Sequence, residues 1–369
     1  LVDAQAPSTG PGAVPSSRAE ITAAMDRMAS AQLALYGENP PADWVAGAFY
    51  VGLARLSHLS GDARFLDAER KVAERHNWEF KPSRAAPGIA HADNECIGQM
   101  YIDLAVQLKD PAKLAGIRRQ WDEVIAGFDH PTPENQQAWR SRSAPGSENL
   151  PWWWCDAFFM APPGLTRLSA VTGDRKYIDA MDKQWWATAA KLYDPEEHLF
   201  YRDARFLTQK TPSGKKVFWG RGNGWVVAGL ANVLTYMPPD YPSRPRYEKL
   251  FKEMCAKLLA VQQPDGLWRA SLIDPESAPY PETSGTAFYC YAFAWGINHG
   301  LLERAAYEPA ARNAWAALNA RLRPDGLLGW VQRVGDRPDS TEASSTQPYA
   351  VGGYLLSGAE MIDLAESRK

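Results

Sequence analysis

Two aspartates and a set of tryptophans carry the chemistry this sequence can support. Asp93 lies in HADNECIGQMY and Asp156 in WWWCDAFFMAPP, each just ahead of an apolar run. That placement predicts both carboxylates at the N-terminal ends of inward-facing helices, where each either caps its helix or faces a pocket. Asp156 has Trp154, Phe158, Phe159 and Met160 for neighbours. A carboxyl desolvated by such residues keeps its proton to higher pH, which suits a general acid. The chain holds 15 Trp and 15 Tyr, with Trp152–Trp153–Trp154, Trp219, Trp225 and Trp44 as the notable positions. Consecutive helix residues point about 100° apart, so three adjacent tryptophans cannot share one face and at least one turns to a cavity. An indole offers a broad face and one N–H, a good surface for stacking on a sugar ring.

In FWGRGNGW (218–225), Arg221 stands between Trp219 and Trp225. A planar guanidinium flanked by rings is a rigid fork for a carboxylate, or else a structural arginine. The glycines let backbone approach a ligand closely. Their spacing lacks the third glycine of the dinucleotide fingerprint, and no strand leads into them. Thr283, Ser284 and Thr286 in PETSGTAFYCYA (281–292) supply hydroxyls that bond sugar hydroxyls or cap a helix.

Bulk properties narrow the partners. The formal charge of −3, with basic residues scattered, argues against nucleic-acid and membrane-surface binding. An acidic ligand would need local arginines. Four cysteines without a CxxC pair, and six histidines without an HExxH, predict no metal site and no cofactor. No apolar run reaches the length of about 18 residues that spans a bilayer. Residues 1–17, rich in Pro, Gly, Ser and Ala, read as a disordered leader. Left by signal-peptide removal, it would place the protein in the periplasm or outside the cell; a shortened chain explains it equally well and leaves the cytoplasm open.

The elements that must position these residues are helices joined by turns. Ser17 and Glu20 form a capping-box signature ahead of Ile21, Met25 and Met28. RLSHLSGDARFLDA (55–68) recurs as RLSAVTGDRKYIDA (167–180). Each copy describes a helix, a left-handed Gly (Gly61, Gly173), an Asp cap (Asp62, Asp174) and a second helix. Looser relatives at 101–121, 229–254, 291–315 and 352–365 bring the number of helix–turn–helix units to about six. QPDGLWR (263–269), RPDGLLGWVQ (323–332) and DPEEHLFYRD (194–203) read as short hairpins between them. Together they predict an all-α (α/α)6 barrel as one domain over 18–369. An open solenoid is the alternative, but neither end carries a polar capping face.

DWVAGAFYVGLARL (43–56), DNECIG (93–98), WWWCDAFFMAPP (152–163), FWGRGNGW (218–225) and ETSGTAF (282–288), in this order, resemble glycoside hydrolase family 105, the unsaturated rhamnogalacturonyl hydrolases. The family 88 unsaturated glucuronyl hydrolases look like more distant relatives. The resemblance implies a metal-free hydrolase on an (α/α)6 barrel. Its substrate would be a small oligosaccharide ending in the 4,5-unsaturated uronic acid a polysaccharide lyase leaves. It puts the general acid/base on Asp156, a second carboxylate on Asp93, and subsite walls on Trp44, Trp219, Arg221 and Trp225. Arg202, in LFYRDARF, departs from the histidine common there and implies a different sugar or carboxylate preference. The implied reaction is hydration of the C4=C5 bond. Two other readings stay open on the residues alone: a conventional (α/α)6 glycosidase with Asp93 and Asp156 as an acid and base pair, and a non-catalytic glycan-binding toroid.

Overall fold

The computed structural model describes residues 14–82, 90–143, 146–147 and 149–367; most of the expected leader lies outside the described residues. Helices alternate between two rings. The inner ring holds Trp44–Ser60, Gly98–Gln107, Pro162–Thr172, Gly220–Tyr236, Thr283–Asn298 and Pro348–Glu366. The outer ring holds Arg18–Tyr36, Ala63–Arg75, Ala115–Asp129, Lys176–Leu192, Arg244–Ala260 and Arg304–Asn319. Each inner helix packs on the next, and Pro348–Glu366 packs on Trp44–Ser60. The ring is therefore closed, and the open solenoid is ruled out.

Sequence explains which helix goes where. An outer helix needs only one apolar stripe, and Ala63–Arg75 buries Phe65, Glu69, Val72 and Ala73 while Arg64, Asp67, Arg70, Lys71, Glu74 and Arg75 lie on its other faces. An inner helix is covered on all sides, and Gly220–Tyr236 is buried continuously from Gly220 to Leu234. The closing seam depends on close backbone approach. A methyl group on Gly352 would strike the Ala48 carbonyl, and one on Gly52 would strike the backbone of Gly352.

The internal repeat marks inner–outer pairs. Gly61 and Gly173 take left-handed φ values of 64° and 72°. Asp62 accepts from Arg64 N at 2.9 Å and Asp174 from Lys176 N at 3.2 Å. The arginine that opens each copy ties neighbouring inner helices: Arg55 reaches Glu360 at 3.0 Å, and Arg167 reaches Asp103 at 3.1 Å and Gln99 at 3.0 Å. The Ser17–Glu20 capping box forms as expected.

Of the three expected hairpins, 194–203 contributes a two-stranded antiparallel ladder, Tyr193–Asp194 with Leu199–Phe200. The 263–269 and 323–332 segments are tight turns, with Gly266 and Gly326 at φ 80° and 85°. The bridge Leu322–Leu328 closes the second turn, while Trp268 at the end of the first bridges to the more distant Glu282. Proline and charge on either side leave these turns too little apolar alternation for longer strands.

Candidate active site

The segments running into the inner helices meet at one mouth of the toroid, around a cavity of about 210 Å³. Both expected carboxylates line it. Asp156 immediately precedes the short helix Ala157–Met160, and Asp93 lies within Ala92–Glu95. Each short helix leads into an inner one. The Asp156 carboxylate makes no capping bond to its helix, so the capping alternative fails for it. Only 8% of Asp156 is exposed. Burial pushes its carboxyl above the ordinary range, while the guanidinium groups of Arg202 and Arg221 pull the other way.

Arg202 is the nearer cation, with Nε 3.6 Å from Asp156 Oδ1. The chain holds this pair in register: Cys155 N–H donates to the Arg202 carbonyl at 2.8 Å, and Trp154 bridges to Asp203. Arg202 lies 5.3 Å from the Trp153 ring centroid and donates through Nη1 to Asp203 at 2.8 Å. Its Nε is buried without a hydrogen-bond partner among the described residues.

The aromatic walls come from four parts of the chain. Trp44 stacks on Tyr349 at 5.7 Å and meets Trp225 edge-on at 6.3 Å. Trp154 packs against the His91 ring at 4.8 Å and against Trp153 at 4.6 Å. The tryptophan triplet divides between core and cavity as expected, although it lies in a turn and a bridge and not in a helix. Trp152 turns into the core against Phe128, while Trp153 and Trp154 face the cavity.

Asp93, Asp156, Trp44, Trp154, Arg202, Trp219, Arg221 and Trp225, all singled out from sequence, thus gather at this cavity. Two expectations change. Arg221 is not a free fork. Its Nη1 donates to the Gln332 carbonyl at 2.7 Å and its Nη2 to the Arg333 carbonyl at 2.8 Å. Its guanidinium lies between the Trp219 and Tyr349 rings, 4.5 and 4.8 Å from their centroids. Thr286 does not reach the cavity. It is fully buried, donates to the Glu282 carbonyl at 2.7 Å and accepts from Trp268 N–H at 3.1 Å. The cap of its helix is Glu282, which accepts from Ser284 N and Gly285 N, and not a hydroxyl of the expected set.

Sequence reasoning gave no site role to His91, Met160 or the Val334–Gly335 lip, all of which line the cavity, and left open that Trp153 would join Trp154 there. His91 Nδ1 accepts from Asp93 N–H at 3.3 Å. Its place two residues ahead of Asp93 was a usable signal; Val334–Gly335 offered none. Among the described residues no cluster of His, Cys, Asp and Glu could hold a metal ion.

A closed (α/α)6 toroid with a buried, uncapped carboxyl beside a cation, in a cavity walled by indole rings, defines a carbohydrate-active hydrolase. The chain belongs to Glycosyl Hydrolase Family 88, whose family model matches residues 17–365. It is similar to the unsaturated 3S-rhamnoglycuronyl hydrolase of Formosa agariphila, 41% identical over 88% of this chain and 86% of that protein. A protein of the same description from an Alteromonas species is 35% identical over 86% of this chain and 77% of its own length. The crystallised glycosyl hydrolase family 88 protein from Bacteroides vulgatus superposes with a TM-score of 0.84. It is 29% identical, with 94% of this chain and 99% of that one covered.

Proposed function

We propose that this cavity hydrates the C4=C5 double bond of an unsaturated uronic acid at the end of a lyase-generated oligosaccharide, and so releases it from the next sugar. The observation that carries this reading is the buried Asp156 carboxyl, uncapped and held above its ordinary pKa at a cavity wall. Family membership and the names of the two curated relatives support it; those names also favour rhamnose as the neighbouring sugar.

The steps follow from the residues. Asp156 gives its proton to C4, and positive charge develops at C5, shared with the ring oxygen. Arg202, 3.6 Å away, steadies the carboxylate that remains. Water adds at C5, oriented by Asp93 or Asp156, and returns a proton to Asp156. The hemiketal at C5 opens to a ketone and leaves a hemiacetal at C1, which expels the next sugar as an alcohol. Arg202 Nε, which makes no hydrogen bond among the described residues, binds the uronate carboxylate. The indole rings of Trp44 and Trp154 take the sugar faces. One acid/base suffices, so the carboxylate spacing that governs ordinary glycosidases has no bearing.

Among the described residues no helix is long and apolar enough to cross a membrane. A substrate left by a polysaccharide lyase favours the periplasm or the outside of the cell as the place of work.

The conjugated double bond absorbs in the ultraviolet, and turnover destroys it. Asp156→Asn should cut kcat by about 10²–10⁴-fold while binding persists. A variant retaining more than about a tenth of the wild-type rate would remove Asp156 from its role. Wild-type protein that bleaches no unsaturated disaccharide would sink the reading itself.

A further inference from the structure

Asp203 is fully buried just behind the cavity wall, and the chemistry described so far gives it no part. It follows Arg202, the position where the sequence departs from a common histidine. Arg205 grips its carboxylate as a fork, Nε to Oδ1 at 2.9 Å and Nη2 to Oδ2 at 2.7 Å, and Arg205 N–H also donates to Oδ1 at 2.9 Å. Arg202 Nη1 donates to Oδ2 at 2.8 Å. Burial acts to raise the pKa of this carboxyl, but the two arginines outweigh it and hold it below the ordinary range, so Asp203 is an anion.

The bond to Asp203 sets which way Arg202 faces. With Nη1 turned to Asp203, Nε lies toward Asp156, 3.6 Å from its Oδ1 and beyond hydrogen-bond reach. A guanidinium not held in this way could swing into a two-bonded pair with Asp156 and fix the acid as its anion. Backbone keeps the two carboxyls in step, since Trp154 bridges to Asp203 and Cys155 N–H donates to the Arg202 carbonyl. With Asp156 protonated, the set of Asp156, Arg202 and Asp203 is neutral. Ionising Asp156 leaves that buried set with a net negative charge, which burial disfavours.

We propose that Asp203 is a positioning residue for the hydration reaction: it aims Arg202 Nε at the substrate carboxylate and offsets in part the guanidinium charge that would otherwise pair with Asp156. The proposal rests on the unsaturated-uronate reading. The other charges around the pair are in place on both sides. Toward solvent, Arg205 meets Asp336 at 2.7 Å and Asp336 meets Arg337 at 2.9 Å, so the signs alternate. Toward the cavity, Asp156 faces Arg221, with His91 and Asp93 in the same wall, and the Cys155 thiol lies 3.5 Å from Asp156 Oδ1.

The test follows kcat/KM against pH on an unsaturated disaccharide. Asp203→Asn leaves the Arg202 charge on Asp156 less balanced. The fall of kcat/KM at high pH should move to lower pH by about one unit, and KM should rise about 10-fold. Asp203→Glu should recover part of both. Arg205→Gln removes a cation that shares Asp203, so the fall should move to higher pH; this variant tests the proposal even if Asp203→Asn does not fold. In an Arg202→Gln background the KM effect of Asp203→Asn should vanish, because Asp203 acts through Arg202. Shifts of the same sign, a folded variant of either kind that leaves the fall in place, or a KM effect that persists without Arg202 would mark a structural ion pair and overturn the proposal. Wild-type protein that bleaches no unsaturated disaccharide would instead overturn the underlying reading, and the proposal with it.

Discussion

Replacing Arg221 by lysine separates two jobs that an arginine in this place can do. In the structure its terminal nitrogens donate to the carbonyls of Gln332 and Arg333, 2.7 and 2.8 Å away. A lysine keeps the charge but offers one nitrogen, which cannot span both acceptors. Hydrogen bonds from a charged donor each contribute about 1.5–3 kcal/mol. The Gln332 carbonyl keeps its bond from Tyr349, and the Arg333 carbonyl lies nearer solvent, so part of the loss is made up. The net weakening of the lip is then about 2–4 kcal/mol. Hydrogen exchange reads this directly. The amides of Val331 and Gln332, which donate to the Ser345 carbonyl and to Glu282, should lose protection by roughly 30- to 1000-fold, at about 1.4 kcal/mol for each factor of ten. Turnover should fall with it, because Val334 and Gly335 form part of the cavity wall. If instead exchange is unchanged and only KM rises, Arg221 grips the substrate carboxylate itself and the loop-clamp argument is wrong.

Three further outcomes follow. Arg202 lowers the pKa of Asp156, so Arg202→Gln should raise it, and the fall of kcat/KM at high pH should move to higher pH even as the maximum rate drops; a shift the other way would deny the coupling. Burial pushes fully buried Glu69 from 4.5 up to about 8. Its folded pKa thus exceeds its unfolded one, so its stability contribution is complete below about 4.5 and is lost as pH rises through about 8, up to about 4–5 kcal/mol. Glu69→Gln should therefore stabilise the protein relative to wild type at pH 9 far more than at pH 4.5, and equal urea midpoint shifts at both would count against it. Gly352→Ala should cost about 2 kcal/mol or more, because its methyl group meets the Ala48 carbonyl across the closing seam; an unchanged melting temperature would mean the seam can open freely.

Much of this was legible because local rules and the fold agree. The repeat at 55–68 and 167–180 carries its own turn chemistry, and the left-handed glycines and Asp caps formed where the residue types demanded. Asp156 was readable because its aromatic neighbours are adjacent in sequence. Arg221 was only half readable. Its ring neighbours were partly in view, but the carbonyls that occupy it lie more than a hundred residues away, at and just beyond the end of the 323–332 turn segment, with nothing local to tie them to Arg221. Thr286 was misplaced for a related reason. A hydroxyl near a helix start fits both a ligand and a cap, and here the adjacent Glu282 took the capping while Thr286 turned inward. Val334 and Gly335 line the cavity only because of how Gln332 is pinned, which no local pattern encodes.

The opposition between burial and arginine at Asp156 bears on how the acid is kept ready. A lone buried carboxyl would hold its proton firmly but would be a poor place to leave a negative charge after transfer. Arg202 relieves that second problem and worsens the first, since a nearby cation favours the ionised form. In the proposed binding mode the substrate resolves the conflict. Its carboxylate beside Arg202 offsets the cation and adds a like charge near Asp156. The acid is then more firmly protonated in the complex than in the free enzyme, and it is so only for a ligand that carries a carboxylate at the right place. A neutral sugar that entered the same cavity would leave Arg202 unopposed and Asp156 closer to ionisation. On the proposed reading, selection for uronates operates through the protonation of Asp156 as well as through binding.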